Sequence, residues 1–181
     1  IGNLTKSKIE YLQSDITKTE SFQSLIETIK SKHRSLNGII HAAGIIKDNF
    51  ILKKSSEEFN SVLLPKVRGT LNLDELTKDI NLDFFVLFSS VAGVMGNLGQ
   101  ADYATGNAFM DAFASQRNKQ VATQQRHGKT LSINWPLWEE GGMHVNEATE
   151  SIIQATTGML PMGTSIGLEK FAQSITSIKD Q

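Results

Sequence analysis

Two hydroxyl groups stand where they could act together on a carbonyl group. Ser90 follows an apolar run, and Tyr103 comes thirteen positions later, at the start of a helical pattern. A tyrosine phenol has an ordinary pKa near 10 and is a weak acid at pH 7, and a nearby cation lowers that pKa. A serine hydroxyl can hold a carbonyl oxygen while negative charge develops on it. The pair therefore indicates proton donation to a carbonyl oxygen.

The elements that would position these hydroxyls lie between residues 84 and 113. The run Phe84–Phe88 is short, apolar and aromatic, which predicts a buried strand. Small and polar residues follow as a loop, and from about Ala101 apolar positions recur at helical spacing. In open parallel sheets ligands bind at the carboxyl ends of the strands, where Ser90 and Tyr103 would meet. Taken alone, the pattern favours the plainer interpretation of a strand-end hydroxyl and a helix-start aromatic.

Four segments, taken together and in order, identify a family. They are HAAG at His41–Gly44, LLPKVRGTLNL at Leu63–Leu73, FVLFSSVAGVMGNLGQADYATGNAFMDAFA at Phe85–Ala114 and INWPLW at Ile133–Trp138. Their order and separation resemble the ketoreductase domain of modular polyketide synthases, a branch of the short-chain dehydrogenase/reductase family. The resemblance covers nearly the whole chain. It implies an α/β fold, a Rossmann-like doubly wound parallel sheet with helices on both faces.

The resemblance implies a role for four side chains. Tyr103 would be the general acid and Ser90 the donor that orients the carbonyl. Most short-chain reductases carry a lysine four residues after the tyrosine, where this chain has Asn107, but in the polyketide branch an earlier helix supplies the lysine, matching Lys66. Lys66 would lower the pKa of Tyr103 and hold the nicotinamide ribose, and Asn107 would fix a water or the lysine in the proton path. By residue type alone, Lys66 would be a solvated surface lysine.

The resemblance also implies NADPH as the cofactor. The residues expected to contact it, besides Lys66 and Tyr103, are Asp15, Ile16, Ala42, Ala43, Gly44 and Pro136. Asp15 would lie beside the adenine and Pro136 beside the nicotinamide, although small residues after a strand also suit an ordinary tight turn. The family's first strand and its glycine-rich pyrophosphate turn find no match in this sequence. We therefore expect a chain truncated on its N-terminal side, a piece of a longer synthase.

The loop after the HAAG segment bears on the stereochemical outcome. Ketoreductases that form a D-configured hydroxyl carry a Leu-Asp-Asp signature there, and only its final aspartate is matched, by Asp48. The opposite type carries a tryptophan eight residues before the tyrosine, where this chain has Met95. The resemblance therefore favours the D-hydroxyl outcome, called B-type. By residue type alone, Asp48 would be an ordinary solvated carboxylate.

Composition limits the classes of protein to consider. The chain has 181 residues, of which 39% are hydrophobic and 20% charged, which predicts a single globular domain over residues 1–181. A net charge of −1 without a basic stripe argues against a nucleic-acid partner, and no apolar stretch approaches membrane-spanning length. There is no cysteine to form disulfides or act as a thiol nucleophile, and the four histidines show no metal-ligand spacing. No metal and no membrane association are expected, and a cytoplasmic location is.

Periodicity predicts the flanking elements. Lys8–Asp15 forms a weak alternating pattern typical of a strand, and the next helix is expected to have Thr17 as its cap with Glu20 three residues on. His41 is expected to be a packed histidine rather than a catalyst. Residues 139–158 are predicted to form a lid that excludes water from the site.

These expectations combine into one function. We expect NADPH-dependent reduction of a β-ketoacyl thioester, carried on an acyl carrier protein, to a β-hydroxyacyl thioester during polyketide biosynthesis. The expected partners are the carrier-bound substrate and the other domains of a synthase. Two alternatives stay open at this point: a catalytically silent or epimerising ketoreductase domain, and a non-enzymatic fragment that needs a missing N-terminal half.

Overall fold

The computed structural model describes residues 8–143, 145 and 147–176. The three strands are β1 (Gly38–His41), β2 (Phe84–Ser90) and β3 (Lys129–Trp135). The helices are α1 (Thr19–Lys32), α2 (Ser56–Leu76), α3 (Ala92–Met95), α4 (Ala101–Ala122), α5 (Glu147–Thr157) and α6 (Thr164–Thr176). A short 3-10 helix at Ile51–Lys53 precedes α2.

The strands form one parallel sheet in the order β1-β2-β3. They begin level, since Phe84 pairs with both Gly38 and Lys129. All three carboxyl ends therefore point the same way, with Ser90 paired to Trp135 where β2 and β3 end. This common edge is where the loops that carry the expected site residues emerge.

Helices cover both faces of the sheet. Side chains alternate between the faces of a strand. Phe85 packs on one face in a core with Met110 of α4, while Phe88, on the other face, has its ring centroid 5.6 Å from that of Phe171 in α6. The buried members of the main core are Phe22, Ile26, Ile39, Leu73, Leu82, Phe85, Leu87, Met110 and Ala114. The predicted Rossmann-like α/β architecture is confirmed, here with three strands.

Helix α2 begins where the sequence places a reciprocal cap. Ser55 accepts a hydrogen bond from the amide of Glu58 at 3.1 Å, and the Glu58 carboxylate accepts one from the amide of Ser55 at 3.0 Å. These bonds satisfy two backbone donors at the helix start. The helix then continues through Pro65 to Leu76, so Lys66 is held on a long, regular element.

Two predictions near the N-terminal end are wrong. Lys8–Asp15 forms no strand, because no described strand pairs with it, and the side chain of Tyr11 is 87% exposed. Helix α1 begins at Thr19 with Lys18 as its N-cap, so Thr17 is not the cap. The Thr17 amide and hydroxyl instead donate to Asp15 Oδ1, at 3.0 and 2.7 Å, forming a local turn ahead of the helix.

A buried arginine fixes the turn that leads into β3. Arg117 of α4 is 1% exposed, and its Nε donates to Asp74 of α2 at 2.7 Å. Its two terminal nitrogens donate to the carbonyls of His127 and Gly128 and to the Thr130 hydroxyl, at 2.8 to 2.9 Å. Desolvation lowers the pKa of this guanidinium, and the contact with Asp74 opposes that shift. The cluster joins two helices to the strand that flanks the site.

Candidate active site

The structure brings together the four side chains expected to do chemistry. Ser90 ends β2, Tyr103 lies in the first turn of α4, Asn107 lies one turn further along, and Lys66 comes from the middle of α2. The Lys66 ammonium lies 5.3 Å from the centroid of the Tyr103 ring. The Asn107 amide nitrogen donates to the Tyr103 carbonyl at 2.7 Å. Three elements therefore converge at the carboxyl end of the sheet.

Lys66 is not the solvated lysine that its residue type would suggest. It is 3% exposed, and its Nζ donates to the Phe88 carbonyl at 3.2 Å and lies 3.8 Å from Met110 Sδ. Burial lowers its pKa from 10.5 to about 8, with the negative charge of Asp111 opposing the shift. The ammonium is therefore still charged at pH 7, close to the point at which it would lose its proton.

The pKa of Tyr103 departs from the expected direction. It is raised, mainly because the phenol is buried, and the Asp48 charge adds to the rise, while hydrogen bonding by Ser90 and Asn107 opposes it. The expected lowering of this pKa by Lys66 is not seen, because burial of the phenol is the largest influence on it. At pH 7 the phenol thus keeps the proton that a general acid must deliver.

Asn107 offers an acceptor at the centre of the group. The residue is fully buried, and its backbone carbonyl accepts a hydrogen bond from the Ser89 hydroxyl at 3.2 Å. Its side-chain Oδ1 is buried and accepts no hydrogen bond from any residue in the described part of the chain. A buried acceptor without a partner is costly, so a water or a ligand donor is expected there. This fits the predicted place of Asn107 in a proton path.

The turn after β1 fits a cofactor that must approach the backbone closely. Ala42 and Ala43 are exposed at the carboxyl end of that strand. A Cβ added to Gly44 would lie 3.2 Å from Lys66 Cε and 3.5 Å from Met143 Cε, so a larger residue would fill this space. The small turn and the neighbouring ammonium suit a nicotinamide nucleotide. Pro136 directly follows β3, half-buried.

Asp15 and Ile16 lie ahead of helix α1, with the Ile16 side chain beside Gly69 of α2. The Asp15 side chain contacts Thr17 and Lys18, neither of which belongs to the catalytic group. The Ile16 carbonyl accepts a hydrogen bond from Asn72 of α2 at 2.9 Å. Their expected role beside an adenine stays a prediction.

Asp48 is exposed, and its carboxylate is also held by two hydrogen bonds. The side-chain amide of Gln100 donates to both of its oxygens, at 2.9 and 3.1 Å. Met95, the other residue expected to bear on stereochemistry, is 65% exposed. Gln100 was not identified from the sequence, since a glutamine before a helix carries no signal of its own.

Two further residues of the site, Lys54 and Asp102, were not identified from the sequence, and Met143 was expected only as part of the lid. Met143 lies against Tyr103, whose hydroxyl donates to Met143 Sδ at 3.6 Å. Lys54 and Asp102 form an ion pair at 2.6 Å with each side chain 1% exposed, immediately before Tyr103. Met143 lies in the predicted lid, residues 139–158, in which residues 144 and 146 fall outside the described residues. The lid stays a prediction.

His41 is confirmed as a packed residue. It is 3% exposed, and its Nε2 shares a hydrogen bond with the Pro65 carbonyl at 3.1 Å. Burial and the charge of Lys66 lower its pKa from 6.5 to about 4.

The described residues contain no group of three or more His, Asp or Glu side chains able to hold a metal ion. Within those residues, no helix is both long and apolar enough to cross a membrane.

Comparison with known proteins gives concordant matches. A family model described as "KR domain" matches residues 3–140. Polyketide synthase PksN of Bacillus subtilis (strain 168) is 50% identical over 175 residues, covering 97% of this chain and 3% of that protein. A solved ketoreductase domain from the bacillaene assembly line shares 53% identity at a TM-score of 0.91, covering 94% of this chain and 41% of that one.

A second solved structure agrees with the first. An N-terminal ketoreductase from the macrolactin assembly line shares 40% identity at a TM-score of 0.83, over 95% of this chain and 32% of that chain. The chain thus spans a few hundredths of the length of its curated relatives. It spans less than half of the length of these two solved chains.

Proposed function

The chain belongs to the KR domain family, the ketoreductase domains of polyketide synthases, and on this premise we propose that it catalyses NADPH-dependent reduction of a β-ketoacyl thioester to a β-hydroxyacyl thioester. The observation that carries the proposal is the convergence of Ser90, Tyr103 and Lys66 at the carboxyl end of the sheet. A hydroxyl that can donate a proton, a second hydroxyl and a buried cation are groups that can serve carbonyl reduction.

Tyr103 is the proton donor in this proposal. When bound, NADPH supplies hydride to the ketone carbon, and the oxygen that becomes negative takes a proton from Tyr103 Oη. A tyrosine is protonated at neutral pH, which is the form a donor needs. Its raised pKa makes this phenol a weaker acid, which depends on neighbouring groups to release its proton. Ser90 Oγ lies at the end of β2, where it can donate to the same oxygen and fix its position.

Lys66 and Asn107 support the proton transfer. The Lys66 ammonium lies over the face of the Tyr103 ring, so its charge favours the phenolate that remains once the proton has left. The unpartnered Oδ1 of Asn107 can accept a hydrogen bond from a water that returns a proton to the phenolate. Lys66, Gly44 and Pro136 would hold the nicotinamide end of NADPH, and Ala42 and Ala43 would flank it.

The remaining parts of the proposal concern substrate and outcome. Asp48, held by Gln100 at the start of α4, and the absence of tryptophan at position 95 support B-type reduction to a D-hydroxyl. The similarity to polyketide synthases supports an acyl carrier protein as the bearer of the substrate and further domains of a synthase as neighbours. A cytoplasmic location belongs to the same proposal.

The proposal is tested by replacing the proton donor alone. In the full-length protein that contains this chain, Tyr103→Phe should abolish NADPH oxidation with 3-oxohexanoyl-N-acetylcysteamine while the circular dichroism spectrum stays that of the wild type. Tyr11→Phe is the matched control, since Tyr11 is 87% exposed, and it should retain full activity. Turnover by Tyr103→Phe at the wild-type rate would contradict the proposal, and an inactive wild type would favour a silent domain.

A further inference from the structure

The loop between β1 and α2 is fastened to the start of the catalytic helix. We call residues 45–54 the stereocontrol loop, because it contains Asp48. Besides the two bonds from Gln100 to Asp48, the amide of Asn49 donates to the carbonyl of Gly99 at 3.0 Å. Gln100 and Gly99 directly precede α4, so the middle of the loop and the helix that carries Tyr103 are held in one register.

A buried ion pair forms a second attachment. Lys54 Nζ lies 2.6 Å from Asp102 Oδ2, and both side chains are 1% exposed. The same Nζ donates to the carbonyl of Lys47, next to Asp48, at 2.5 Å. Asp102 Oδ1 in turn accepts a hydrogen bond from the amide of Tyr103 at 2.9 Å. One lysine and one aspartate therefore connect the backbone beside Asp48 to the backbone of the proton donor.

A gain in folding stability does not by itself explain a buried ion pair. Removing two charges from water is unfavourable, and well-packed apolar side chains often stabilise a fold as much or more. A buried pair can instead specify one arrangement of the groups that it joins. Here each partner makes one further hydrogen bond, and these two bonds reach the two segments whose separation matters for the reaction.

We propose that the Lys54–Asp102 ion pair is a positioning device that holds the stereocontrol loop against the catalytic helix and so determines which face of the ketone receives hydride. This inference rests on the proposed function. In either stereochemical outcome the ketone oxygen must lie at Tyr103 and Ser90. The side of Tyr103 on which the acyl chain lies then decides which face of the ketone receives hydride. If the stereocontrol loop is held beside Tyr103 at Asp48, it can block the acyl chain from one of the two sides.

The test measures the enantiomer ratio of the product. The full-length protein reduces 3-oxohexanoyl-N-acetylcysteamine, and the two 3-hydroxy products are separated by chiral chromatography. We expect Lys54→Met to raise the minor enantiomer by about tenfold, since displacements near one ångström at a site alter rates on this scale or more. Lys53→Met, the adjacent exposed lysine of the same loop, should keep the wild-type ratio. A wild-type ratio in Lys54→Met would overturn the proposal.

A second variant guards against misfolding. The double variant Lys54→Met/Asp102→Leu leaves no unpaired buried charge, so it should fold even where the single variant does not. It also lacks the bond to the Lys47 carbonyl, and we expect it to lose stereochemical control as well. A folded double variant that keeps the wild-type ratio would overturn the proposal.

Failure of the proposed function is separable from failure of this inference. Hydrogen–deuterium exchange of the Asn49 amide, which donates to Gly99, needs no turnover and reports attachment of the loop directly. We expect Lys54→Met, but not Lys53→Met, to accelerate this exchange, whether or not the wild type reduces the ketone. An inactive wild type with this pattern would refute only the reaction, whereas unchanged exchange in Lys54→Met would refute the attachment.

Discussion

Replacing Lys66 by methionine should stabilise the protein while removing the proposed activity. Lys66 is 3% exposed, and its pKa falls from 10.5 to about 8 mainly because burial disfavours the charged form. One pKa unit corresponds to about 1.4 kcal/mol, so the charged side chain reduces the free energy of unfolding at pH 7 by about 3 kcal/mol. Methionine has a similar length, a similar helix propensity and no charge to desolvate.

The stability penalty of the charged Lys66 side chain must decrease as the pH rises. Because the folded-state pKa lies below the unfolded-state value, the unfolded chain binds more protons between about pH 8 and 10.5. The wild type therefore carries the full penalty below pH 8 and loses it progressively as the pH rises towards 10.5. The stability difference between Lys66→Met and wild type should shrink over the same window.

The assay is urea denaturation, in a protein extended to the length of the solved ketoreductase chains. Lys66→Met should gain about 3 kcal/mol at pH 7 and much less near pH 10, and it should lose NADPH oxidation. Lys119→Met, an exposed lysine on α4, is the control and should change stability little at either pH. A gain that is the same at both pH values, or a loss of stability at pH 7, would refute the reasoning.

Three further predictions concern the surroundings of the site. The folded-state pKa of His41 is about 4 against 6.5 when unfolded, so stability should fall as the pH drops from 6.5 to 4. His41→Gln should flatten this fall in urea midpoints taken at pH 7 and 4.5, and an equally steep fall would contradict the assignment. Gly44→Ala brings a Cβ to 3.2 Å from Lys66 Cε and should weaken NADPH binding by calorimetry, whereas unchanged affinity would place the cofactor elsewhere. Arg117→Met removes the donors to the His127 and Gly128 carbonyls, while Arg126 still pairs with Asp74, and should lower the free energy of unfolding by about 2 kcal/mol; a loss below about 0.5 kcal/mol would show that the cluster carries little stability.

Much of the fold and the centre of the site could be predicted because the signals are local. Ser90 and Tyr103 lie in one continuous segment, in which an apolar run, small loop residues and helical spacing succeed one another. Lys66 and Asn107 followed from the family resemblance, since a lysine in a helix carries no sign of its burial. The direction of the Tyr103 pKa was mispredicted for the same reason, because it depends on burial.

The rest depends on contacts between distant positions. Lys54 and Asp102 are 48 residues apart, and Tyr103 and Met143 are 40 apart, so no periodic pattern connects them. The predicted strand at Lys8–Asp15 was wrong because alternation shows only that a segment could pair, and a strand forms only where a neighbour supplies hydrogen bonds.

The most direct measurement is the fate of the hydride. The full-length protein is incubated with NADPH deuterated at the transferable C4 position and with 3-oxohexanoyl-N-acetylcysteamine, and the product is examined by mass spectrometry. We expect one deuterium on the hydroxyl-bearing carbon for each NADP+ formed, and none of this product from Tyr103→Phe. An unlabelled alcohol, or no reduction by the folded wild type, would contradict the assignment of this chain as an active ketoreductase.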